Sequence, residues 1–383
     1  MNKSQLKERF EDFKGELSVS SPGRINLIGE HTDYNEGFVL PTAIDLRIDF
    51  EFRRNGTADT CYIYSQTYET FATFDLNQVL PQKDSWANYL LGVIDEIQKL
   101  GKQVEGFDCI VRSDLPIGAG ISSSAALECG FASGINELFE LGLQEIEIVR
   151  LSQAAENNFV GSNCGIMDQY ASVMSKKGHL ILLDCRSLEA QYIPADFKDG
   201  KLLLLNTKVT HNLAEGEYNK RRKECEDAVK TIQERYPQVK ALRDVNEEML
   251  KEFREPLSTQ TFARAAYVIQ ENLRVKQAAE AIKSGDLRTF GHLMYQSHHG
   301  LQHQYEVSSP ELDFLVEYTR KKDFIYGSRM MGGGFGGCTI NLIKSSEIDA
   351  FVKEVLPVYE EEFGIKAEAI VVSPSEGTVI RRF

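Results

Sequence analysis

The spacing of hydrophobic and polar residues changes character along the chain. In the first half, SVSSPGRINLIG (18–29), LRIDFEFRRN (46–55), CYIYSQT (61–67) and FDCIVRSDLP (107–116) carry β-branched and aromatic residues between turn residues. They predict strands. SWANYLLGVIDEIQKLG (85–101) instead has apolar residues at helical spacing, with a serine before and a glycine after; it predicts a capped helix. A Pro/Asp/Gly patch in YIPADFKDGKLLLLN separates two apolar runs and places a domain boundary near Gly200. Beyond it come one strand, then long charged helices at 217–236, 262–285 and 310–322. The strand-like runs CTINLI and AEAIVVS lie near the end. The reading is therefore a mixed α+β chain in two parts, 1–200 and 201–383.

Composition narrows the function classes. A length of 383 residues suits two domains, and 42% hydrophobic with 26% charged residues is ordinary for a soluble globular protein. A net charge of −14 disfavours nonspecific binding to nucleic acid or to an anionic membrane. It also obliges any anionic substrate to be met by local positive groups. Seven scattered cysteines without a C-x-x-C pair fit reduced thiols in a cytoplasmic enzyme. The first sixteen residues are charged throughout and carry no apolar signal region. The longest aliphatic runs, HLILLD and KLLLLN, are strand-length and too short to span a bilayer.

Four stretches carry candidate chemistry. GRINLIGEHTDYNEG (23–37) runs from a short strand into a loop with three acids and a histidine; ionised carboxylates there can accept several hydroxyl hydrogen bonds. LPIGAGISSSAALECGFASGINELF (115–139) passes from a strand through glycines and serines into a helix. A helix start of that kind offers free N–H groups to a phosphate chain, although neither a Walker A loop nor a dinucleotide fingerprint is present. AAENNFVGSNCGIMDQYAS (154–172) places Glu156 on a helix and Asp168 among apolar neighbours. MMGGGFGGC (330–338) is too glycine-rich for a helix or strand interior and reads as a loop pressed against a ligand or another backbone. The basic run KRRKE predicts a solvated helix face, and His298, His299 and His303 a polar helix end.

Taken together and in this order, the four motifs resemble the galactokinase family of GHMP sugar kinases, and the resemblance extends over nearly the whole chain. It implies an N-terminal ribosomal-protein-S5-like domain and a C-terminal ferredoxin-like domain with the active site between them. It implies ATP-dependent phosphorylation of the anomeric hydroxyl of galactose, the first committed step of galactose use by the Leloir pathway. By position, Asp168 would be the catalytic base and Arg24 its partner. Glu30, His31, Thr32, Asp33, Gly165 and Tyr218 would hold the sugar. Gly118, Ala119, Gly120, Ile121, Ser122, Ser123 and Ser124 would wrap the ATP phosphates, with Ser65, Trp86 and Tyr89 near the nucleotide. Ser124 and Glu156 would hold Mg²⁺. The expected partners are galactose and ATP, with no nucleic acid and no membrane, for a cytoplasmic monomer. A kinase for N-acetylgalactosamine or arabinose, and a non-catalytic galactose and ATP sensor, are the alternatives. Met331, where many relatives have threonine, touches none of these roles.

Overall fold

The computed structural model describes residues 3–83, 85–116, 118–210 and 214–383. Among them, the strands form three sheets. The largest has the order Val379–Arg382, Leu17–Asn26, Pro41–Arg54, Phe107–Ser113, Thr60–Ser65, Thr70–Asp75, with Pro374–Ser375 also paired to Pro41–Arg54. Its pairings are antiparallel except Thr60–Ser65 with Phe107–Ser113. An antiparallel four-stranded sheet runs Ile325–Met330, Gly336–Lys344, Gly200–Thr210, Glu368–Val372. A small third sheet joins Phe38–Val39, His179–Asp184 and Ala190–Pro194.

The predicted helices are present with small shifts at their ends. Ala87–Lys99 starts where Ser85 Oγ accepts from the Ala87 N–H at 3.2 Å, and it is followed by Gly101 at φ 71°. The 262–285 prediction becomes Thr259–Ser284, capped by Ser258 and ended by Gly285 in the left-handed region. Ser123–Leu138 lies directly on the large sheet, and its small residues permit this. A Cβ on Gly130 would stand 2.4 Å from Phe50, and one on Gly134 2.2 Å from Phe52. Only a missing side chain lets the helix sit this close to two buried rings.

Division at residue 200 does not cut the fold cleanly. The chain's last strand returns to the first sheet, pairing Leu17 with Arg382 and Ser20 with Val379. The main apolar core likewise joins Ile25, Leu27 and Met167 to Val275, Met294, Met331 and Cys338. Two further cores lie in the second half, one among its helices around Tyr267 and Tyr305, the other between the four-stranded sheet and Ile348–Phe363. The end of Leu17–Asn26 and the turn after Ile325–Met330 meet at the seam between the halves, and the candidate residues gather there.

Candidate active site

Asp168 stands in the first turn of the helix Met167–Met174. Arg24 reaches it from the bulged part of Leu17–Asn26, where pairing shifts between Pro22 and Arg24. The two form a bidentate pair, Nε to Oδ1 at 2.7 Å and Nη2 to Oδ2 at 3.0 Å. The third guanidinium nitrogen, Nη1, donates to the Gly120 carbonyl at 2.7 Å. Burial pulls the Arg24 pKa down, but Asp168, Glu30 and Asp33 outweigh it and leave the pKa raised. Ser122 Oγ adds a third donor to Asp168, 2.5 Å from Oδ2. That hydroxyl does not cap the helix behind it. Ser122 instead adopts a left-handed backbone, φ 56°, which turns its side chain toward Asp168.

Two cavities meet at this pair, and a third adjoins the second at Ser123 and Ser124. The first, about 210 Å³, is lined by Arg24, Glu30, His31, Asp33, Asp168 and Tyr218, with Glu156 and Gly332–Phe335 also on its walls. The second runs along Gly118–Ser124 and shares Arg24, Asp168 and Gly333 with the first. The third, about 330 Å³ and largely apolar, is lined by Ser65, Trp86, Tyr89 and Leu127 and reached past Ser123 and Ser124. Gly118, Gly120 and Ser122 all have positive φ. Left-handed residues at every second position make a backbone concavity that receives anions. The order along the seam is therefore an apolar cleft, an anion-receiving loop and a polar cavity, with the Arg24–Asp168 pair between the last two.

The loop after Leu17–Asn26 does not present all its polar groups to the cavity. His31 Nε2 donates to the Gly333 carbonyl at 3.2 Å, and Nδ1 accepts from Tyr34 OH at 2.8 Å. Tyr34 in turn accepts from Tyr305, which accepts from the Cys225 thiol. Burial drives the His31 pKa down to about 3. The ring is neutral, of fixed tautomer, and both its nitrogens are used within the protein. Thr32 Oγ1 lies 2.8 and 2.7 Å from the carbonyls of Gly29 and Phe38, so its hydroxyl closes the loop and does not line the cavity. Asp33 does line it. Burial, and then the nearby Asp168, push its pKa up to about 7. Gly165 backs onto Asp33, where a Cβ would come within 2.0 Å of Oδ2. Tyr218 stacks at a tilt on His31, centroids 5.4 Å apart.

Glu156 sits where the helix Glu145–Ala155 gives way to the π-helical turn Glu156–Val160. Its pKa rises to about 7 through burial and the charge on Asp168, opposed by a hydrogen bond from Ser124. Gln169 donates to it at 2.7 Å. Behind them Glu128 is wholly buried with Oε1 unpartnered, and burial and Glu156 hold its pKa well above the carboxylate range. Repelling acids with a serine hydroxyl at the mouth of the anion-receiving loop are a donor set that suits a divalent cation. One carboxylate and one hydroxyl leave further positions to phosphate oxygens and water, as Mg²⁺ prefers.

Other expectations come out differently. Arg221 in KRRKE is buried, not solvated, and its guanidinium is spent on the carbonyls of Tyr305 and Glu306 and on Glu217. His298 is buried against Asp313, whereas His299 and His303 are exposed. Among the described residues no group of three metal-ligating side chains forms, and no helix is long and apolar enough to cross a membrane. Sequence reasoning missed Arg329, Gln169, Glu128 and Tyr34. Gln169, Glu128 and Tyr34 each sit inside a motif and Arg329 directly before the glycine-rich one, but nothing in the local pattern showed their direction.

Comparison with known proteins places the chain in a family. The galactokinase galactose-binding signature matches residues 5–54, the GHMP kinase N-terminal domain 88–176 and the GHMP kinase C-terminal domain 278–357. A galactokinase of Roseiflexus sp. (strain RS-1) is 39% identical over 98% of this chain and 97% of its own length. One of Thermosipho africanus is 40% identical over 94% and 99%. The crystal structure of Lactococcus lactis galactokinase complexed with galactose superposes with a TM-score of 0.93 at 34% identity, covering 98% of both chains. A mevalonate kinase at 18% identity and TM-score 0.66, covering 94% of this chain and 99% of its own, shares the fold. With the family's signature over residues 5–54 and both kinase domains in place, the chain belongs to the galactokinase family.

Proposed function

We propose that the enzyme transfers the γ-phosphoryl group of ATP to the anomeric hydroxyl of α-D-galactose, giving α-D-galactose 1-phosphate and ADP, as a cytoplasmic monomer. The observation that carries this is the Arg24–Asp168 pair, which belongs at once to the polar cavity and to the anion-receiving loop. A hydroxyl in one and a phosphate in the other would face each other across it. A cavity of about 210 Å³, below the roughly 300–1,000 Å³ of drug-sized sites, suits a single sugar ring.

Phosphoryl transfer has a loose transition state, so alignment and charge neutralisation do most of the work. Glu30, Asp33 and Asp168 offer carboxylate oxygens to sugar hydroxyls. Asp168 accepts the proton of the attacking hydroxyl, and it is held for that by Arg24 and Ser122. Because the proton leaves late in a loose transition state, correct placement matters more than high basicity. Arg24 spans Asp168 and the phosphate loop, so its charge also faces the moving phosphoryl group. Ser124 and Glu156 hold Mg²⁺, which offsets phosphate charge when bound. The apolar cleft by Trp86 and Tyr89 takes the adenine.

An ADP-release assay across free sugars tests this. Galactose should be turned over at least roughly 100-fold more efficiently than glucose, since a site built to bond a hydroxyl rejects its misplacement. Equal turnover of the two overturns the assignment. Preference for N-acetylgalactosamine or arabinose replaces the sugar and keeps the chemistry.

A further inference from the structure

Arg329 is the penultimate residue of the strand Ile325–Met330 in the second half of the chain, yet its side chain ends in the first half. It is wholly buried. Nη2 donates to Glu30 Oε1 at 2.8 Å and to the Asn26 carbonyl at 2.5 Å. Nε donates to the Leu27 carbonyl and Nη1 to the Met330 carbonyl, each at 2.8 Å. Glu30 is itself 2% exposed and lines the polar cavity. Its Oε1 takes a second bond from the Gly332 N–H at 2.8 Å, whereas Oε2 has only the Asn26 amide, 3.1 Å away. The two carboxylate oxygens are thus unequal. One is saturated by the strand and its turn, and the other retains acceptor capacity.

We propose that Arg329 is a positioning residue for the sugar: it fixes the Glu30 carboxylate so that Oε2 is the oxygen offered to a galactose hydroxyl. The claim rests on the reading above that Glu30 touches the sugar. The chemistry calls for arginine. A planar fork can bond a carboxylate and three main-chain carbonyls at fixed angles, which a lysine point charge cannot. The same fork pins the end of Leu17–Asn26, so the direction of Glu30 is set by the strand that enters the glycine turn.

The test compares Arg329→Lys, Glu30→Gln and the double variant Arg329→Met with Glu30→Gln. Galactose affinity is read by calorimetry, and KM and kcat by assay. Arg329→Lys should raise the galactose KM and dissociation constant by roughly tenfold or more, the scale of a disrupted buried charge pair, with the ATP KM and kcat within about threefold. A role in the fold alone would lower the melting temperature and the active fraction but leave the galactose KM of the folded enzyme unchanged; that result overturns the proposal. The double variant carries no lone buried charge, so it gives an answer even where Arg329→Lys does not fold. If Arg329 acts through Glu30, the double variant binds galactose within about twofold of Glu30→Gln alone. A further loss of fivefold or more would mean another route and would also overturn it. Unchanged galactose affinity in Glu30→Gln is a separate outcome, which removes Glu30 from the sugar site and the proposal with it.

Discussion

Asp168 accepts from three donors and still faces the cavity, so its replacement by asparagine is the sharpest single change at this site. Asp168→Asn should fold and bind galactose but lose roughly 10²–10⁴ in single-turnover rate, the usual worth of a positioned base. Arg24→Ala should lose about 10²–10³, and the double variant little more than the worse single one, since the two act as a unit. Near-normal turnover in Asp168→Asn would leave the carboxylate a positioning group only. Asp33 sets the pH response. Burial raises its pKa to about 7, against roughly 3.9 for an unfolded aspartate, so in the empty enzyme it holds a proton below about pH 7. A sugar hydroxyl needs the ionised acceptor. Galactose KM should therefore fall as pH rises toward about 7 and level off above it, with proton release on binding visible in calorimetry across buffers. The same raised value makes Asp33 a liability to the empty fold, because stability falls as pH rises from about 4 through about 7. Asp33→Asn should flatten the KM profile yet melt higher than the parent at about pH 8; a lower melting temperature there contradicts the burial argument. At this scale the residue types were legible in the sequence, but their hydrogen-bond partners were not. GEHTDYNEG shows a histidine, whereas both its ring nitrogens are claimed by Tyr34 and by Gly333, which lies 302 positions further along the chain.

Elements place these residues through their ends and irregularities. Ser124 lies in the first turn of Ser123–Leu138, and Glu156 at the start of a π-helical turn, a distortion often found at functional sites. Ser124→Ala and Glu156→Gln should raise the Mg²⁺ needed for half-maximal rate while calorimetric galactose affinity stays within about twofold. An unchanged Mg²⁺ dependence in both removes them from the metal site. The seating of the helix is a separate matter of packing. Gly134→Ala would put a Cβ 2.2 Å from Phe52 and should cost about 1–3 kcal/mol of stability by overpacking, with KM values for both substrates unchanged. Periodicity placed the helices it predicted to within a few residues, because their apolar faces recur locally, but it did not pick out Ile348–Phe363. It gave no sign of the π-helical turn or the left-handed Ser122, which are fixed by tertiary contacts with Gln169 and Asp168.

Across the whole molecule, the two halves share structure that a linear division hides. GTVIRRF at the end of the chain has no strong strand pattern, and its pairing partner lies at the opposite end. Such non-local pairing is invisible to any sequence window, and it shapes stability. Residues 374–382 supply an edge strand to Leu17–Asn26 and a second pairing to Pro41–Arg54. Arg47 donates to the carbonyls of Glu376 and Gly377, and Arg382 pairs with Glu137. The main core meanwhile draws on Val275, Met294 and Met331 as well as on the first sheet, and Arg329 ties its strand to the Asn26 and Leu27 carbonyls. The full chain should therefore unfold in one cooperative transition, with far-UV circular dichroism and tryptophan fluorescence from Trp86 coinciding. Removing residues 374–383 should lower the melting temperature by about 5 °C or more, since several strand bonds and an edge cover are lost together, while the transition stays single. Two resolved transitions in the intact chain, one matching an isolated 1–200 fragment, would show that the halves fold independently and that the returning strand is a surface attachment.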